Sequence, residues 1–305
     1  MGDRSHGHGH GHGTSDRRRL CWALAITLVV MLAEVTGAAL TGSLALLADA
    51  GHLATDALGL AVALVAAVLA QRPPSHYRTY GLGRAEILAA ALNALLLLVV
   101  AVVVTVEAIG RLAEPPVVAG GPLLALGAFG LAGNLVALVV LTRGGAGERS
   151  LNLRGAVLEV LGDALGSVLV LAAATVVLTT GWRQADPVAS LLIAGLIVPR
   201  ALTLLREAAH VLLEGTPRGV DAAEVDRVLR RVPGVLDVHD LHLWTITSGR
   251  HAVSAHLVVT GTWVVHCGEA SVLDTAATQL RTHFGLTHST LQVEHDTHAD
   301  HESTC

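Results

Sequence analysis

The chain has 305 residues, 52% of them hydrophobic, 3% aromatic and 15% charged, with 32 glycines and a net charge of -5. Soluble domains carry about 25% charged residues, so this composition excludes disorder and indicates several membrane-spanning helices. All 20 basic residues are arginine. Without lysine there is no P-loop, no pyridoxal-phosphate Schiff base and no kinase-type lysine, which argues against ATP as the energy source. The acidic balance argues against a nucleic-acid partner. Cys21, Cys267 and Cys305 form no disulfide framework.

In chain order, residues 1–19 are polar and low in complexity, with His6, His8, His10 and His12 alternating with glycine ahead of Arg17, Arg18 and Arg19. They read as a disordered tail that captures metal weakly. Apolar runs at 20–40, 43–69, 87–106, 122–141, 155–180 and 187–205 each approach the roughly 20 residues that cross a bilayer, giving a six-helix transmembrane domain over 20–205. Arg72, Arg78, Arg84, Arg143, Arg149, Arg154, Arg200 and Arg206 lie in the 70–86 and 142–154 loops and around the end of the sixth span. The opposite side holds only Arg111 and Arg183. The positive-inside rule therefore places both termini in the cytoplasm and the chain in the inner membrane.

Residues 206–296 return to soluble composition. Helical spacing over 221–232 stops at Pro233-Gly234. Strand patterns follow at 235–247 and 251–260, then a helix at 269–284 and a strand at 290–295. An α-β-β-α-β cytoplasmic domain of the α+β class is expected. Residues 297–305 form a second His-rich tail with His298 and His301.

Charge inside the apolar runs is the informative signal. The second span carries Asp49, His52 and Asp56, and the fifth carries Glu159 and Asp163. Each aspartate at a helix centre costs about 2.5–3.5 kcal/mol on insertion scales, so protons or a cation must neutralise the group. His52 and Asp56 are four apart and share a helix face, and Glu159 and Asp163 repeat that spacing. If the faces meet, one imidazole and three carboxylates form a four-ligand N/O site of the kind that holds zinc. Asp49, one turn before His52, reads as a support for the ligands or a proton carrier. Glu34, Glu86, Asn93, Glu107 and Asn134 occur singly and read as helix–helix or interface groups.

Five segments in order, LTGSLALLADAGHLATDALGL, YGLGRAEILAAALNALLLLVV, NLRGAVLEVLGDALGSVLV, LLEGTPRGVD and HDLHLWTITSG, resemble the cation diffusion facilitators, in their zinc-transporting branch. The resemblance runs from about residue 20 to 296. It implies six transmembrane helices, a metallochaperone-like cytoplasmic domain, a homodimer, and exchange of a divalent metal for protons by alternating access. It also implies a transport site at His52, Asp56, Glu159 and Asp163. Position 159 departs from the family, which generally has histidine there. Carboxylate in place of imidazole hardens the site and favours Mn2+ or Fe2+ relative to Cd2+. Zinc, with cadmium, cobalt, manganese and iron(II) behind it, is the expected substrate and regulatory ligand.

The resemblance further implies metal sites in the cytoplasmic domain near a dimer interface, where bound metal would regulate. His239, His256 and His295 match best by position, with His242, His288 and Asp296 as further candidates. The loop between the second and third spans offers His76 among positive charges and reads as no metal site. Two other functions fit the sequence less well. A membrane metalloprotease needs an HExxH helix, which is absent. A metal receptor with a sensing tail gives no reason for carboxylate pairs in two membrane helices.

Overall fold

The computed structural model describes residues 11–70, 72–143, 151–247, 249–259 and 269–295. His6, His8, His10, Cys267, Asp296, His298, His301 and Cys305 lie outside them. Among the described residues six long helices come first: α1 (Gly11–Thr41), α2 (Leu44–Ala70), α3 (Ala85–Ala113), α4 (Gly120–Thr142), α5 (Leu151–Thr180) and α6 (Ala185–Leu212). Five of these are long and apolar enough to cross a membrane. The sixth, α2, has 27 residues, about 40 Å of helix against a hydrocarbon core of about 30 Å. Large apolar side chains such as Val35, Leu92, Val103 and Leu158 stand exposed on them, as lipid-facing positions do.

The helices outrun the apolar windows. α1 begins at Gly11, so His12 and the three arginines before residue 20 belong to its backbone. α6 continues through Pro199 and Arg200 to Leu212. Hydropathy marks the hydrocarbon-spanning part of a helix, whereas backbone hydrogen bonding continues until a residue stops it. α6 is stopped by Glu214 in the left-handed region (φ 59), with Gly215 N–H donating to the His210 carbonyl at 2.8 Å.

The chain divides into two compact units, Met1–Ala61 with Asn93–Thr203, and Val62–Leu92 with Leu204–Cys305. In the first, α4 packs between α1 and α5. Its buried positions Gly120, Leu123, Gly127, Gly130, Asn134, Ala137 and Leu141 fall at alternating steps of three and four. Small residues on this stripe let the backbones approach closely, the packing that substitutes for hydrophobic drive inside lipid. α1 ends at Gly42 (φ +71). Ser43 then caps α2, accepting from the Leu46 N–H at 3.2 Å. Asp186, fully buried at the start of α6, accepts from the Ser43 hydroxyl and from the Leu44 N–H at 2.8 Å. A buried carboxylate on another helix thus satisfies the orphan N–H groups of α2.

The second unit contains α7 (Ala222–Arg230), β1 (Val235–Thr247), β2 (Arg250–Val259), α8 (Glu269–Phe284) and β3 (His288–His295), the α-β-β-α-β order read from the sequence. The sheet order is β1-β2-β3, with β1–β2 antiparallel and β2–β3 parallel. Val225 and Leu229 of α7 and Val272, Ala276 and Leu280 of α8 pack on Val253, Ala255, Leu257 and Val259. Those four β2 residues alternate along the strand, so His256 points to the other face. Within this unit the Thr247 hydroxyl also donates to Glu86 at 2.9 Å.

Asp186→Ala removes the acceptor for the start of α2. We expect a lower unfolding temperature in detergent, corresponding to about 1–3 kcal/mol. An unchanged melt in scanning fluorimetry would show that α2 does not depend on this contact.

Candidate metal centres

On α2, His52 and Asp56 lie one turn apart. The His52 Nδ1 is 3.6 Å from Asp56 Oδ2, and its Nε2 is 3.7 Å from Asp163 Oδ1 on α5. Ligand atoms of all three residues lie within 4.8 Å of one another. His52 Nδ1, Asp56 Oδ2 and Asp163 Oδ1 are buried and accept or donate no hydrogen bond. Two ligands bound tetrahedrally at about 2.0–2.1 Å stand about 3.3 Å apart, so the observed spacings need only a small contraction around an ion. A buried polar atom left unpaired costs about 1–3 kcal/mol, and three together mark a site built for something charged.

Glu159, the fourth expected ligand, lies outside that trio. It stands within hydrogen-bonding reach of Asp56, while Arg200 Nη2 donates to its Oε1 at 3.1 Å. Arg200 Nη1 also lies 3.9 Å from Asp56 Oδ2. The sequence reading counted Arg200 with the positive residues at the cytoplasmic end of the sixth span. Its approach from α6 to Glu159 on α5 has no signature in linear spacing.

One turn before His52, Asp49 is almost fully buried and near enough to Glu34 on α1 for the two carboxyl groups to interact. Glu34 is buried with both carboxyl oxygens unpartnered. Two glycines clear the space: a Cβ on Gly130 would stand 2.7 Å from Glu34 Oε1 and 3.1 Å from Ser167 Oγ, and a Cβ on Gly166 would collide with Asp49. Asn134 donates to Ser167 at 3.2 Å beside them. Glu34 and Asn134, which read singly from the sequence as interface groups, therefore belong to one polar cluster with Asp49.

In the cytoplasmic domain His239, His256 and Glu294 bring one ligand atom each within 4.8 Å. His239 and His256 are paired across β1 and β2, with ring centroids 5.0 Å apart. Glu294, itself buried, reaches both: Oε2 is 3.2 Å from His239 Nε2 and Oε1 is 2.6 Å from His256 Nδ1. A carboxylate bridging two imidazoles, with nitrogen and oxygen donors only, suits zinc. The expected third ligand, His295, is displaced. It pairs with Val259 on the helix-covered side of the sheet, whereas Glu294 pairs with Val258 on the side of His256. Strand parity decides this, and a one-residue difference changes the face. His242 is also set apart from this trio. A register shift separates it from His239, Asp240 takes a left-handed φ of 50, and the His242 ring turns to Asp240 at 3.0 Å.

Comparison with known proteins follows the same division. Residues 20–213 match the family described as the cation efflux transmembrane domain, and residues 217–296 match the cation efflux protein cytoplasmic domain. The chain is 43% identical over 279 residues to the metal cation efflux system protein CzcD of Cupriavidus metallidurans, covering 92% of this chain and 87% of that protein. It is 40% identical over 292 residues to the zinc transporter ZitB of Escherichia coli, covering 95% and 91%. It is 39% identical over 268 residues to a cadmium, cobalt and zinc/H(+)-K(+) antiporter of Bacillus subtilis, covering 88% and 86%. With both units matched and the motifs of α2, α5 and β1 in place, the chain belongs to the cation efflux family, a family of multi-pass membrane transporters rather than enzymes.

Proposed function

We propose that this protein exports a divalent cation, zinc first and cadmium or cobalt with it, from the cytoplasm in exchange for protons. His52, Asp56 and Asp163 hold the ion, with Glu159 beside them. The observation that carries this reading is the meeting of three buried ligand atoms, without hydrogen-bond partners, from two membrane helices. The printed names of the relatives, zinc transporter and cadmium, cobalt and zinc antiporter, support the class of cargo. The chain works as a homodimer in the inner membrane with both termini in the cytoplasm. The His-rich ends concentrate metal near the entrance.

Competition between ion and protons drives the exchange. Facing the cytoplasm, the imidazole and carboxylates are free of protons and bind metal. Facing a more acidic exterior, they take up protons and the metal leaves. Asp49, with Glu34, carries protons toward the site. Two neighbouring carboxyl groups in apolar surroundings cannot both stay ionised without a counter-charge, so this pair holds a proton while the metal site is loaded. In the cytoplasmic domain, metal at His239, His256 and Glu294 relieves acidic repulsion between protomers and favours their association. Glu159 hardens the donor set, and a carboxylate held by Arg200 leaves one imidazole to select soft ions. Manganese or iron(II) is the second reading.

Three outcomes follow from these assignments. Asp163→Ala in proteoliposomes abolishes zinc flux driven by a pH gradient while the protein keeps its melting temperature within a few degrees; undiminished flux removes Asp163 from the transport site. Glu34→Gln leaves equilibrium zinc binding near wild type and lowers proton-coupled turnover by about 100-fold or more, the size of a lost proton-transfer group. Equal loss in binding and turnover would make Glu34 structural. Glu294→Gln weakens zinc binding to the cytoplasmic domain by about 10–100-fold, read by titration against a chelator, and unaltered affinity would exclude that cluster.

A further inference from the structure

Arg200 projects from α6 at the edge of the membrane site, its guanidinium 3.1 Å from Glu159 and 3.9 Å from Asp56. Among the described residues it is the one cationic side chain acting on Asp56, Glu159 and Asp163. An arginine in a membrane helix is costly to insert and is kept where it is paired. Here the pairing falls on two carboxylates of the site already assigned.

Counting charges gives Arg200 a role. Metal-binding imidazole is neutral, so His52, Asp56, Glu159 and Asp163 together carry three negative charges. A dication alone leaves one of them unbalanced in low dielectric, where an uncompensated buried charge is strongly disfavoured. With Arg200 included, the empty site is doubly negative and the filled site is neutral. We propose that Arg200 is a built-in counter-charge for the transport site, fixing its net charge so that a divalent ion, and not a monovalent or trivalent one, fills it to neutrality. This rests on the proposed transport site. It identifies Arg200 as a positioning and specificity-determining residue that acts through Glu159, not as a ligand. Arginine suits this because it is always charged and presents a fork that spans two carboxylates. Asp49, on α2 one turn before His52, and Glu34, on α1, are unchanged in every variant below, so their contribution cancels in the comparison.

The test is a charge-balancing cycle on the full chain in proteoliposomes. Zinc transport is measured for wild type, Glu159→Gln, Arg200→Gln, Arg200→Lys and the double variant Glu159→Gln/Arg200→Gln. Each single neutral substitution unbalances the filled site by one charge, and zinc kcat/KM falls by about tenfold or more, whereas the double variant restores neutrality and recovers most of the loss. Arg200→Lys keeps the charge and stays near wild type. Trivalent terbium, which does not displace zinc from wild type, displaces it from Arg200→Gln. A double variant no better than Glu159→Gln alone overturns the proposal, and that comparison holds even where Arg200→Gln does not fold. Terbium competition unchanged by Arg200→Gln also overturns it. Absence of zinc transport by wild-type protein would instead overturn the reading of the function.

Discussion

Carboxylates inside apolar helices need a balancing positive charge, and most of what is distinctive in this membrane unit answers that need. Water normally screens and solvates such groups. In a bilayer only protons, metal ions or an arginine can do so. Asp56 and Asp163 leave an oxygen each unpaired toward the His52 ring, and in the function proposed above their balance is an ion held among them. Glu159, one helical turn from Asp163 on α5, has its balance in Arg200. Glu34 and Asp49 face each other with no cation beside them among the described residues, and a shared proton is the balance open to them. Three kinds of counter-charge thus serve three sets of acidic groups within a few turns of helix.

The surrounding fold makes those arrangements possible by keeping backbones close and helix ends satisfied. Gly130 and Gly166 stand where any larger residue would strike Glu34 or Asp49. They give up packing surface so that carboxyl groups fit between helices. Asp186 holds the start of α2 by accepting from Ser43 and Leu44. The orientation of α2 in turn sets where Asp49, His52 and Asp56 point. A rigid frame of small residues around a cluster of unpaired charge is suited to a site that must release its ion as readily as it binds it.

Much of this was legible in the sequence, and the limits are physical. The i, i+4 pairs on α2 and α5 announced themselves because helical periodicity places such residues on one face whatever the tertiary structure. The α-β-β-α-β order was legible from alternating apolar residues and turn signals. Arg200 was not, because its partners are 41 residues or more away in sequence, and positive charge near a span end also satisfies the positive-inside rule. Glu34 escaped for a similar reason: a lone acid in an apolar helix acquires meaning only when a second one from another helix meets it. On the sheet, the choice between His295 and Glu294 depended on strand parity. Histidine is the commoner metal ligand and drew the assignment, while the parallel register of β2 and β3 turns Glu294 toward the imidazoles. The start of α1 and the end of α6 exceeded their windows because hydropathy measures lipid exposure, not hydrogen bonding.

The central claim is that one divalent ion sits between α2 and α5, and diffraction data can locate it directly. Crystals of the full chain grown with zinc, recorded on both sides of the zinc absorption edge, should show an anomalous peak between the imidazole of His52 and the carboxylates of Asp56 and Asp163, at about 2.0–2.2 Å from each ligand atom. A map with zinc at His239, His256 and Glu294 but no anomalous density among the three membrane residues, at zinc concentrations that sustain transport, would contradict the account.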